Sequence, residues 1–161
     1  MSLVTAKRVH AAQDLVYSMW TDGEHLANWW GASGVKLDVI SIDVQPGGLF
    51  HYKQTTSDGQ VLYGKFTYHQ VESPDKLAFT SSFADEQGHT IRAPFNANWP
   101  LEILNTLAFS EEEGQTTIEM EGLPFNATEQ EAAVFQSAEE AIKQGFTGTF
   151  GQLEAYIEKI K

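Results

Sequence analysis

The side chains that could do chemistry are few and scattered. His10, His25, His51, His69 and His89 are candidate bases, and Ser33, Ser81 and Ser82 are candidate nucleophiles. Nucleophilic catalysis needs a base beside the nucleophile, and no spacing in the chain ties these residues together. A metal site would want histidines and carboxylates at ligand spacing, yet neither H-x-x-x-H nor H-E-x-x-H occurs. His51 and His69 could approach each other across strands. Both alternate out of phase with Phe50/Tyr52 and Phe66/Tyr68, so both are expected to face outward. Phosphate cradles need a glycine-rich turn that enters a helix. Pro46-Gly47-Gly48 enters a strand instead, and Gly145, Gly148 and Gly151 lie within a helical pattern. One polar group remains for acid–base work or anion binding: Asp85, Glu86, His89, Arg92 and Glu102. Arg92 would either hold an anionic head group or pair with Asp85 or Glu86 and order the loop; the local pair is the favoured arrangement. No catalytic residue, metal ligand or cofactor is assigned.

The aromatic residues point further. Trp29, Trp30, Phe50, Tyr52, Phe66, Phe79, Phe83, Trp99, Phe146 and Phe150 could line a ligand pocket, together with Tyr63, Leu101 and Ile103. Packed solid, they would be ordinary core, each worth ~2 kcal/mol of burial or more. Trp29, Trp30 and Trp99 sit beside turns or proline, which suits a rim. Tyr52, Tyr63 and Arg92 would orient a ligand.

The elements that must position these residues follow from periodicity. Val4–His10 reads as a strand, and Leu15, Val16, Met19 and Trp20 have helical spacing. Thr21 or Asp22 can cap a second short helix through Leu26 to Trp29. A long β region follows. Strands are expected at Val39–Val44, Phe50–Gln54, Val61–Val71, Leu77–Phe83, Leu101–Phe109 and Thr116–Glu121, joined by turns at Pro46-Gly47-Gly48, Asp58-Gly59, Ser73–Lys76 and Glu111–Gly114. Arg92–Pro100 holds two prolines and is expected to be irregular. Thr128-x-x-Glu131 fits a capping box, and so does Ser137-x-x-Glu140. Beyond it, Ile142, Phe146, Thr149, Phe150, Leu153, Tyr156, Ile157 and Ile160 form one apolar stripe on a helix of about six turns. Its three glycines cost roughly 1 kcal/mol each against alanine, so a close approach of the helix to another surface is expected there.

The class is therefore α+β: an antiparallel seven-stranded sheet, two short helices after the first strand, and one long C-terminal helix to cover the sheet. A curved sheet gripping one helix leaves an elongated gap, the concave and mainly apolar kind of site that small ligands use. The length of 161 residues suits a single domain over 1–161. The net charge of −12 repels phosphate backbones and anionic lipid, which argues against nucleic acid and membrane surfaces as partners. The excess is concentrated late, with 12 Glu against 3 Lys from Leu101 to the end. A solvated face is the simplest use of these charges, and a face for a basic protein partner is the other. With 0 Cys there is no disulfide or thiol chemistry, which fits a reducing compartment, the cytoplasm. No apolar run approaches a membrane span and no leader opens the chain. Met1-Ser2-Leu3 is given no function.

Specific residues also resemble a known family. Val9, Ala12, Val16, Trp20-Thr21-Asp22, Leu26 and Trp29-Trp30 open the likeness, and Pro46-Gly47-Gly48, Gly64-Lys65-Phe66, Val71, Pro74 and Lys76-Leu77 continue it. Ser82-Phe83, Asp85-Glu86, Gly88, Arg92, Pro94, Trp99-Pro100-Leu101-Glu102 and Thr116-Thr117 follow in order. Asn126-Ala127-Thr128-Glu129, Glu131, Phe135, Gly145-Phe146-Thr147-Gly148-Thr149, Gln152-Leu153 and Tyr156 complete it. This run resembles the START-like (SRPBCC), Bet-v-type helix-grip superfamily, in the bacterial branch named after the activator of heat-shock protein 90 ATPase. Phe146 departs from it, since relatives often carry Trp there. The resemblance implies a helix-grip fold over nearly the whole chain. Relatives bind lipids or polyketides, close rings, sacrifice themselves to reactive drugs, or assist a chaperone in stress, so fold alone names no reaction. The expectation is non-covalent binding of a hydrophobic or aromatic small molecule. A protein-interaction or co-chaperone-like module and a cyclase-like or hydrolase-like enzyme are the alternatives. A homodimer is compatible with all three.

Overall fold

The structure, a computed structural model, describes residues 3–31 and 34–161. Ser33 lies outside the described residues. The elements run β1 (Leu3–Val9), α1 (Gln13–Ser18), α2 (Gly23–Trp29), β2 (Lys36–Ile42), β3 (Leu49–Thr55), β4 (Val61–Glu72), β5 (Lys76–Ala84), β6 (Thr90–Ile91), β7 (Ile103–Glu112), β8 (Gln115–Pro124), α3 (Glu129–Ser137) and α4 (Glu139–Ile160). All strand pairs are antiparallel, in the order β1-β8-β7-β5-β4-β3-β2, with the two-residue β6 pairing β5. That short strand is the one addition to the seven expected from sequence. Pairing slips between Val39 and Ser41 and between Tyr68 and Gln70. Such bulges bend a strand and increase its twist, which helps curve the sheet around the helix.

Asp22 caps α2 by accepting from the Glu24 amide at 2.9 Å. Thr128 and Glu131 form the expected capping box of α3. The second box does not form. Ser137 still belongs to α3 and donates its hydroxyl to the Val134 carbonyl at 2.8 Å, leaving Ala138 as the junction to α4.

The concave face of the sheet carries the core. Phe50, Phe66, Tyr68, Leu77, Phe79, Leu107, Phe109, Ile118 and Met120 are buried there against Val16, Leu26 and Trp29 from the short helices and Trp20 from the turn between them. The apolar stripe of α4 changes character along its length. Phe150, Leu153 and Ile157 are buried, whereas Ile142, Phe146 and Thr149 are only half-buried. The long helix thus packs on the sheet through its second half and stands off through its first.

Candidate functional site

A cavity of about 380 Å³ occupies the space under the first half of α4. Ile142, Gly145, Phe146 and Thr149 form its roof. Its floor is the concave sheet face at Tyr52, Gly64, Ser81, Phe83, Ile103, Asn105 and Gly122, with Leu3 from β1. Trp30 and Gly31 close the end next to α2; Trp99, Pro100 and Leu101 from the loop before β7, with Phe135 of α3, form the other wall. It is partly open to solvent.

Of the residues named from sequence, the structure gathers Trp30, Tyr52, Tyr63, Phe83, Trp99, Leu101, Ile103 and Phe146 around this space. Six others lie elsewhere. Phe66 and Phe79 stack at 4.1 Å between ring centres, and Phe50 meets Phe66 edge-on at 5.1 Å, so all three are solid core. Trp29 is buried beside Trp20 and donates its indole N–H to the Met19 carbonyl at 2.9 Å. Phe150 packs near Trp20. These five aromatics fill the packed half of the interior, because alternation fixes a face and not the distance to what lies opposite. Trp20 is the hub of that half, in contact with Trp29, Trp30, Phe79 and Phe150.

Arg92 is the sixth, and the local pair expected with Asp85 or Glu86 does not form. Its guanidinium pairs with Glu131 of α3 and donates to the Trp99 carbonyl at 3.3 Å. Asp85 instead closes its own turn, accepting from the amides of Gln87 at 3.0 Å and His89 at 2.8 Å. Those bonds, led by the His89 amide, hold its carboxyl below the usual carboxylate range. Arg92 therefore ties the loop carrying Trp99 to α3, where Trp99 meets Phe135 at 5.7 Å.

Glu131 is held below its ordinary value near 4.5 first by the Thr128 amide and next by Arg92. A depressed carboxyl stabilises the fold above its unfolded value and loses that contribution as pH falls through the folded value. The melting temperature is accordingly expected to drop on acidification from about pH 4.5 downward. In Glu131→Gln that acid limb should flatten, as read from melts across pH; an unchanged limb would place the effect elsewhere.

His51 faces away from the core yet is buried. The Asp85–His89 turn covers it, with Nε2 3.0 Å from the Asp85 carbonyl, and Lys65 fastens the turn through a bond to the Gly88 carbonyl at 3.0 Å. Tyr63 borders the cavity while its ring packs against His51 on the opposite face. Among the described residues no histidine hydrogen-bonds to Ser81 or Ser82, and His69 instead meets Thr80 at 3.2 Å.

Two glycines shape the site. A Cβ on Gly64 would stand 2.5 Å from the Tyr52 hydroxyl oxygen and 2.6 Å from the adjoining ring carbon. The Tyr52 ring lies flat over its cross-strand neighbour, and burial pushes the phenol up to about 12, against a bond from Trp30 that lowers it. Tyr52 is therefore a protonated, neutral group at neutral pH. Gly64→Val is expected to drive the ring into the cavity and to cost about 1–3 kcal/mol in urea denaturation; an unaltered stability would mean the ring is not seated there. Gly122 is the second: a Cβ there would meet only Asn105 Oδ1 at 3.6 Å and an Ile103 methyl at 3.9 Å, ordinary contacts.

The close approach expected at Gly145, Gly148 and Gly151 is absent, since a Cβ at any of them meets nothing within 4 Å. All three are exposed, and Gly145 also borders the cavity. Several lining residues escaped the sequence reading: Leu3, Gln54, Asn105, Gly122, Phe135, Ile142 and Thr149. Leu3 in particular is a buried strand residue with a place in the wall. Among the described residues no helix is long and apolar enough to cross a membrane.

A curved antiparallel sheet, short helices after its first strand and a long terminal helix standing over an apolar cavity define a helix-grip protein. The chain belongs to the family described as activator of Hsp90 ATPase homolog 1-like protein, whose profile matches residues 10–158. Solved structures share the fold. A protein from Arthrobacter aurescens is 25% identical with a TM-score of 0.80, covering 98% of this chain and 86% of its own. One from Mycobacterium smegmatis is 21% identical with a TM-score of 0.78, covering 99% and 92%. The AHSA1 protein from Silicibacter pomeroyi is 15% identical with a TM-score of 0.73, covering 100% of both. No curated protein matches the chain.

Proposed function

We propose that this protein binds a hydrophobic or aromatic small molecule, non-covalently, in the cavity between the sheet and the first half of α4. One observation carries the proposal: an apolar-walled space of about 380 Å³ lies where the helix stripe would otherwise pack. Sites for small ligands run roughly 300–1,000 Å³. Binding would draw on burial of apolar ligand surface, at about 25 cal/mol per Å², against Trp30, Phe83, Leu101, Ile103 and Phe146.

The test is titration with N-phenylnaphthylamine, a neutral dye that brightens in apolar surroundings. Folded protein should give a saturable signal of one dye per chain, and Trp30 and Trp99, both in the wall, should transfer excitation to it. A linear, non-saturating response across dyes and lipid chains would remove the proposal.

A further inference from the structure

The mainly apolar cavity floor carries a polar station distinct from the Tyr52 hydroxyl. Asn105 is 4% exposed and stands in the inward phase of β7, between Ile103 and Leu107. Its amide nitrogen is fully engaged by the wall, donating to Ser81 Oγ at 3.1 Å, the Ile103 carbonyl at 3.2 Å and the Phe79 carbonyl at 3.5 Å. Those carbonyl acceptors fix which way the amide points. Its Oδ1 then accepts no hydrogen bond among the described residues. The sealed, unpartnered side-chain polar atoms among those residues are Thr5 Oγ1 and Trp20 Nε1. Asn105 Oδ1 is not one of them, so it opens to the cavity that Asn105 and its cross-strand partner Gly122 both line. Gly122, which has no side chain, leaves the space beside that oxygen open.

Ser81 completes the station. Its oxygen accepts from Asn105 and its hydroxyl hydrogen is given to no protein group among the described residues. The floor thus offers an acceptor and a donor side by side, the complement of a hydroxyl, which both donates and accepts. A buried polar atom left without a partner costs about 1–3 kcal/mol, so a ligand that satisfies it is favoured over an equally apolar one that does not. Among the described residues no Asp, Glu, Lys, Arg or His lines the cavity, and the net charge of −12 repels anions. An ionised ligand would lose its hydration with no counter-charge to meet it.

We infer that the ligand is a neutral, mainly apolar molecule bearing one hydroxyl, which donates to Asn105 Oδ1 and accepts from the Ser81 hydroxyl. The inference rests on the binding proposal above and selects among its ligands. The experiment displaces bound N-phenylnaphthylamine with naphthol, methylnaphthalene and naphthoate at pH 7, on wild type and on Asn105→Leu. Naphthol should bind the wild type about 3–10-fold tighter than methylnaphthalene, the worth of one net hydrogen bond, and at least as far ahead of naphthoate. In Asn105→Leu the preference for naphthol should vanish while methylnaphthalene still binds. Should that variant not fold, Ser81→Ala must narrow the same preference about threefold, the lower end of that range. Equal binding of naphthol and methylnaphthalene by the wild type, equal binding of naphthoate, or a preference that survives the substitutions overturns the inference alone. If none of the three displaces the dye and the dye itself does not saturate, the cavity is not a binding site and both proposals fall.

Discussion

Leu153→Ala is expected to lower the unfolding free energy by about 3 kcal/mol, whereas Ile142→Ala, about three turns earlier on the same stripe, should cost under about 1 kcal/mol. Both are aliphatic residues on the inner face of one helix, and sequence periodicity treats them alike. Leu153 is 0% exposed within the main core. Removing its side chain deletes buried methyl groups and leaves a void that packed neighbours cannot fill, and the measured cost of such changes grows with that void. Ile142 is half-buried and already faces open space. Its truncation enlarges a cavity that exists and removes fewer contacts. Urea denaturation, with equal slopes for both variants, reads the difference directly. Equal losses would mean that α4 packs evenly along its length, and the cavity would lose its physical origin.

Replacing Gly145, Gly148 and Gly151 together by alanine should raise stability by about 2–3 kcal/mol, since helix-interior glycine costs ~0.8–1 kcal/mol against alanine. The gain comes partly from restricting the unfolded chain. No steric term opposes it, because a Cβ at each position meets nothing within 4 Å. The three gains are each a matter of helix propensity, since no added methyl meets a neighbour. At roughly 2–4 °C per kcal/mol for a chain of this size, the melting temperature should rise by several degrees. A gain below about 1 kcal/mol would indicate that the first half of α4 frays in solution, so that the added propensity is not realised.

The order of elements was legible because it is local. Alternation, Asp58-Gly59 and the Thr128 capping box each specify a few neighbouring residues, and each appears in the structure where periodicity placed it. What was not legible depends on distance between layers. Phe50, Phe66 and Phe83, from β3 to β5, share one face, yet Phe50 and Phe66 are sealed while Phe83 borders the cavity. No pattern within a strand states how far away the helix stands. Arg92 shows the same limit: nearby Asp85 and Glu86 were the local choice, but its partner lies 39 residues on, in α3. The polar station was half legible. Asn105 interrupts the inward phase of Ile103, Leu107 and Phe109, and Gly122 interrupts that of Ile118 and Met120. A polar residue and a glycine in register across two strands of a core face signal a missing piece of packing.

Gly122→Leu gives the most direct test of the cavity as a binding site. Its side chain would rise from the floor without backbone conflict, next to Asn105 and under the roof of α4. The measurement is dye affinity on wild type and Gly122→Leu, with thermal melts on both. The cavity account requires an equal or higher melting temperature in the variant and dye affinity at least about tenfold weaker, equivalent to about 1.4 kcal/mol. A folded variant that binds the dye as tightly as wild type would contradict it.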